Sequence, residues 1–155
     1  MNPPSSGRPA QPLDQPTAQF SPAELTYLLG ERRLGRLATS DAAGQPHVVP
    51  VGWSYNPEHG SIDISGHDFA GNRKYRNTQT NPRAAFVIDD VLPPFHPRCV
   101  TIQGIAHALT AGQSDGTEAM IRITPTKITS WGLNDSPSPQ ANLATDTRRQ
   151  EAPDG

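Results

Sequence analysis

Arg73, Lys74 and Arg76, inside the segment GNRKYRN at 71–77, form the densest positive cluster in the middle of the chain. They follow the alternating run Ser61–Ser65 and a short loop that carries Gly66 and Gly71. A strand end that leads through glycines into a basic helix start is suited to hold a phosphate, because helix-start amides and cationic side chains converge there. Ser65 at the strand end and the neutral donors Asn72 and Asn77 strengthen that reading over a solvated helix face.

The remaining reactive side chains are dispersed. His47, His59, His67, His96 and His107 include no pair at the i, i+4 spacing of a helical metal site, so no metal is expected. G-x-S-x-G, Walker-type and G-x-G-x-x-G patterns are absent. Cys99 is the single cysteine, which excludes an internal disulfide and reads as a small buried residue. Asp89–Asp90 close an apolar run and read as a strand end rather than as a carboxylate pair. Trp131 reads as core, with stacking on a flat ligand as the alternative.

These residues need elements to position them. Ser21 to Arg33 reads as a helix capped by Ser21, with Pro22 in the first turn, Glu24 at the positive end, and Leu25, Leu28 and Leu29 as the buried stripe. Strands are expected at 34–40 and 46–55, joined by a turn at Asp41–Gly44, with Val49, Val51 and Trp53 on one face. Another covers 61–65. Residues 70–79 read as a helix too polar to be central, crossing the surface before Asn81–Pro82 stops it. A buried strand at 83–89, a rigid proline-rich loop at 91–98, a long strand at 99–110 with Gly104 as a bulge, and closing strands at 120–132 complete the chain. Six strands and two helices describe a small β-barrel, mainly β with few helices. Pro46 and Pro50 in one strand imply an edge, which can face a ligand.

Composition sets the outer limits. The chain has 155 residues with 17 Pro and 13 Gly. Eight of the prolines lie in 1–19 and 133–155, so one domain at 20–133 is expected between disordered tails at 1–19 and 134–155. One core of this size excludes a two-lobed enzyme. Net charge is −2, and basic and acidic residues balance within 20–132, which favours neither nucleic acid nor membrane as partner. With no apolar run long enough to span a bilayer and no signal-peptide core, a cytoplasmic protein is expected.

RLGRLATSDAAGQPHVVPVGW at 33–53, IDISG at 62–66, RKYRNTQTNPRAAFVIDD at 73–90, and the later IQGIAHAL and RITPTKITSWGL runs resemble the pyridoxamine 5′-phosphate oxidase-like superfamily. Within it they are most similar to the branch of deazaflavin (coenzyme F420)-dependent oxidoreductases. The resemblance implies a homodimeric split β-barrel of the FMN-binding type, with two cofactor sites at the subunit interface. It implies F420, or alternatively FMN, with Arg73 and Lys74 on the phosphate, Asn77 nearby and Ile64–Ser65 at the preceding strand end. His47, Val48, Val49, Pro50 and Val51 would run along the ring, and Trp131 near its edge or the partner subunit. The implied reaction is hydride transfer between reduced F420 and a small unsaturated acceptor, with His67 or Tyr75 as candidate proton donors. A non-catalytic F420- or flavin-binding carrier is the alternative of another class. The short C-terminal part, and Cys99 near a position where the oxidases carry a flavin-contacting glutamine, argue against vitamin B6 oxidation.

Overall fold

The structure, a computed structural model, describes residues 16–133 apart from 32, 67, 115 and 117. Seven strands, β1 (Gly35–Ser40), β2 (Pro46–Val51), β3 (Ser54–Asn56), β4 (Ser61–Ser65), β5 (Arg83–Leu92), β6 (His96–Leu109) and β7 (Met120–Trp131), form one sheet. Its order is β2-β1-β5-β6-β7-β4-β3 with antiparallel neighbours throughout, so β2 and β3 are its edges. The sheet curls into the expected split barrel.

Period-two alternation builds the core. Leu37 on β1 lies opposite Val49 and Phe86, Phe86 opposite Ile102, and Ile102 opposite Ile128, a single apolar row across five strands. A second row joins Ile62, Ile123 and Ala106. Leu37, Phe86, Ile62, Ile102 and Ile123 are almost fully buried, and each such side chain contributes about 1.5–3 kcal/mol. The register between β6 and β7 shifts at Gln103/Gly104. That bulge lets the two longest strands bend and serve both halves of the sheet. Gly104 is required there, because a Cβ would run into the Thr124 carbonyl oxygen.

Helix α1 (Pro22–Leu29) is started by a reciprocal cap: the Glu24 amide donates to Ser21 Oγ and the Ser21 amide to Glu24 Oε2. Glu24 also accepts from Ser130 Oγ at 2.7 Å, which ties the helix to β7. The helix ends at Leu29, shorter than expected, and its buried side is Glu24, Tyr27 and Leu28. Leu29, assigned to the buried stripe from sequence, is exposed. The i, i+3, i+4 face centred on the capping glutamate decides which side packs.

Two further expectations are corrected. The proline-rich segment 91–98 is a hairpin rather than a loop: β5 continues to Leu92, β6 starts at His96, and only Pro93–Phe95 form the turn. Pro97 is tolerated opposite Val91 because the pairing of β6 with β7 stops at Cys99, leaving no second strand that needs its missing N–H. The strand expected at 46–55 is interrupted at Gly52–Trp53, so β3 is separate and seven strands replace six. Trp53 fills the break, donating Nε1–H to the Arg33 carbonyl and meeting Phe86 edge to face.

The tails expected at 1–19 and 134–155 lie outside the described residues except for 16–19. There the Thr17 and Ala18 amides both donate to the Pro125 carbonyl. No helix among the described residues is long and apolar enough to cross a membrane.

Candidate functional site

The basic cluster stands on two aromatic anchors. Phe69, in a 3-10 turn at Phe69–Gly71, and Tyr75, in helix α2 (Arg73–Thr80), are both buried and meet edge to face with ring centres 5.9 Å apart. With Tyr75 turned inward, Arg73 and Arg76 are exposed on the outer side of the helix. Lys74 Nζ sits 5.0 Å above the Phe69 ring, which orients its charge. The helix has no acidic residue in its first turn and no basic residue in its last. Its cations therefore crowd the positive end of the helix dipole, the arrangement that opposes helix stability and suits an anion. The Asn72 side chain makes no capping bond to the first-turn amides.

The inner side of α2 corrects the expectation of a surface crossover. Tyr75, Asn77 and Thr78 are buried, so polar composition concealed a packed face. Asn77 Nδ2 donates to Thr39 Oγ1 at 3.0 Å, and Thr39 lies directly opposite His47 on β2. Thr39, which sequence reasoning missed, thus connects the basic helix to the strand assigned to the cofactor ring. Its inward alternation on β1 was the available signal. His47 Nδ1 is buried and has no hydrogen-bond partner.

Along β2, His47, Val49 and Val51 turn toward the core while Pro46, Val48 and Pro50 are exposed, Val48 at 67%. Proline has no N–H, and at 46 and 50 it is accommodated where the edge strand has no second neighbour. Ile64, which the resemblance placed beside the cofactor, is fully buried and paired with Ile121; Ser65 is exposed at the end of β4. Trp131, read as core from the sequence, is instead 54% exposed, and it lies elsewhere. Ser65 pairs with Met120 and Trp131 with Cys99, and about 35 Å of strand separates the two ends of β7. Tyr75 is 3% exposed within the core, and His67 lies outside the described residues.

The two adjacent aspartates diverge. Asp89 pairs with exposed Arg36. Asp90 accepts from Arg33 Nε at 2.7 Å, from Arg98 Nε at 2.8 Å and from the Tyr27 hydroxyl at 3.1 Å. Both guanidinium groups also lie over the Tyr27 ring, at 4.2 and 5.0 Å. Hydrogen bonds from Arg98, then from Arg33 and Tyr27, hold the Asp90 carboxyl well below the usual carboxylate range despite partial burial. Burial, reinforced by Asp90, pushes the Tyr27 hydroxyl up to about 12. This cluster roots the β5–β6 hairpin on α1. A second pair, Asp63 with Arg122, is bidentate at 3.0 Å and joins β4 to β7. Burial raises the Asp63 pKa, but bonds from Arg122, Asn56 and Ser61 together outweigh it and leave the group below its ordinary value.

Cys99 is buried, with Sγ 3.3 Å from Thr101 Oγ1. Among the described residues no three His, Cys, Asp or Glu side chains gather closely enough to hold a metal ion.

Residues 21–141 match the family described as pyridoxamine 5′-phosphate oxidase. A 5a,11a-dehydrotetracycline/5a,11a-dehydrooxytetracycline reductase of Streptomyces rimosus is 43% identical over 120 residues, covering 74% of this chain and 84% of the relative. Two solved structures share the fold at lower identity. An FAD-binding protein from Mesorhizobium loti superposes with a TM-score of 0.55 at 22% identity, over 72% of this chain and 92% of its own. An F420 reductase gives 0.51 at 21%, over 67% and 94%.

Proposed function

The chain belongs to the pyridoxamine 5′-phosphate oxidase family, and from that premise we propose that it is an oxidoreductase using the deazaflavin coenzyme F420, which when bound in reduced form supplies a hydride to a small unsaturated organic acceptor. The observation that carries the reading is the first turn of α2, where Arg73 and Lys74 crowd the positive helix end and Asn77 ties that helix through Thr39 to β2. The names of the Streptomyces relative and of the F420 reductase support it.

The residues present fit such a cofactor. Arg73, Lys74 and the first-turn amides of α2 would hold its phosphate. The free edge of β2, from His47 to Val51, would orient the ring through its backbone. Val48 and Pro50 would exclude water from one side. We place a second copy of the chain on the other side, because one open sheet face encloses little. Trp131, remote from α2 along its own β7, would then contact the cofactor only from the partner.

Adding oxidised F420, FMN and FAD separately to the purified chain, with absorbance and retention as readouts, tests the reading. Binding of F420 followed by turnover of an enone panel that includes a 5a,11a-dehydrotetracycline is the expected result; binding of none of the three overturns it. Lys74→Ala is expected to weaken F420 binding at least tenfold. A flavin in the same site is the second reading, favoured by the FAD-binding relative of the same fold. Tight binding without turnover on enones or quinones would instead make the protein a carrier.

A further inference from the structure

The seven arginines with described side chains sort into two groups. Arg33 and Arg98 pair with Asp90, Arg36 with Asp89, and Arg122 with Asp63. Arg73, Arg76 and Arg83 have no acidic partner among the described residues, and all three fall within eleven consecutive positions. From residue 69 to residue 88 the sequence holds four cations and no Asp or Glu. The nearby Asp41 makes no ion pair with Arg73, Arg76 or Arg83; its Oδ1 accepts the Ala43 and Gln45 amides at 2.9 Å.

One phosphate needs only the cations at the helix start, Arg73 and Lys74. Arg76 lies one turn further along α2, and Arg83 opens β5 after the Asn81–Pro82 turn. Asn81 Oδ1 accepts the Arg83 amide at 3.2 Å, and Asn81 Nδ2 reaches the Asp41 carbonyl, so the turn that presents Arg83 is held by side-chain bonds. From Arg76 to Arg83 the backbone spans at most about 16 Å, four residues of helix and three extended. Arg83 also lines a groove of about 430 Å³, shared with Ser40, Pro46, Gln103 and Gly104. Pro46 is the first residue of β2, so the groove starts beside the strand assigned to the ring.

We infer that Arg76 and Arg83 form a second anion subsite that reads negative charge beyond the cofactor's first phosphate. The inference rests on the cofactor reading above and specifies its ligand class: a flavin or deazaflavin whose ribityl phosphate carries a further anionic extension. That extension is the acidic tail of F420 or the second phosphate of FAD, whereas FMN ends at its first phosphate. Arginine suits either source, since its planar fork meets carboxylate and phosphate alike and stays charged at any working pH. Like charges brought together without acidic partners repel, and an anionic ligand removes that repulsion when it binds.

The test compares the full-length chain with the Arg76→Gln/Arg83→Gln double variant and with Arg73→Gln, titrating F420, FAD and FMN at two ionic strengths and recording a thermal melt of each protein. The double variant is expected to lose at least tenfold in F420 affinity, to show a flatter salt dependence, to bind FMN within twofold of the parent, and to melt as the parent does. Arg73→Gln is expected to weaken all three ligands. A loss confined to FAD supports the subsite and assigns its extension to a second phosphate. Equal losses for F420 and FMN, or no loss for F420 and FAD, overturn the subsite while leaving the cofactor reading intact. Failure of the parent chain to bind any of the three overturns both.

Discussion

Replacing Asp90 by Asn removes one charge and keeps the shape of the side chain. Asp90 accepts four hydrogen bonds, three of them from guanidinium groups, with its side chain only 23% exposed. An Asn retains one acceptor oxygen and turns an NH2 group toward arginine donors, leaving Arg33 and Arg98 together over the Tyr27 ring with no counter-charge. Removing one partner of a buried ion pair costs about 3–5 kcal/mol; partial exposure reduces this to about 2–3 kcal/mol. For an ordered body of about 115 residues that corresponds to a fall in Tm of roughly 8–12 °C. Asp89→Asn is the internal control, since that side chain is 46% exposed against a partner at 49%, and an exposed pair contributes about 0–1 kcal/mol. Thermal and urea melts at pH 7 measure both. Asp90 has a depressed folded-state pKa, so its contribution is complete above the unfolded carboxylate value near 4 and is lost as pH falls toward the folded one. The Asn variant should therefore lose stability at pH 7 and also lose part of the parent's acid sensitivity. A fall of less than about 3 °C, or equal falls for the two aspartates, would refute the assignment of the cluster as the root of the hairpin.

Other substitutions probe separate links. Tyr27 has a raised folded-state pKa, so its contribution is complete below pH 10 and is lost as pH rises toward about 12; Tyr27→Phe should flatten the alkaline limb of a stability-against-pH curve. Gly104→Ala forces a methyl group onto the Thr124 carbonyl and Ile123 and should cost about 1–3 kcal/mol in a denaturant melt. Asn77→Ala breaks the tie to Thr39 and should cost about 1–2 kcal/mol, with weaker F420 binding measured by absorbance titration if α2 and β2 act as one site.

Local signals disclosed the elements whose stabilising partners are close in sequence. Ser21, Pro22 and Glu24 announced the start of α1, and the alternation in SIDIS announced β4. Gly104 was recognisable as a bulge because a lone glycine in a long apolar strand has few other uses. What stayed hidden depends on distant neighbours. The hairpin at 91–98 was obscured because proline's cost depends on whether another strand lies alongside, and β1 and β7 both end short of it. The buried face of α2 was obscured because its bond to Thr39 spans 38 residues. In the candidate site, residue types located the basic helix and the two prolines marked β2 as an edge, while Trp131, read as core, is exposed because β7 ends at it. The ion pairs that single out Arg73, Arg76 and Arg83 became visible only once the other arginines had found their aspartates.

The free borders of the sheet bear on how this chain avoids its own kind. An open sheet edge is a template on which another molecule's strand can polymerise. Here one border is β3, three residues long, which offers too little ladder to capture a strand. The other is β2, where prolines at alternate positions 46 and 50 leave Val48 as the one donor among them. An incoming strand finds two of these three amide donors missing, with only the carbonyl acceptors intact. The two prolines thus protect this border against fibrillar growth while leaving it uncovered.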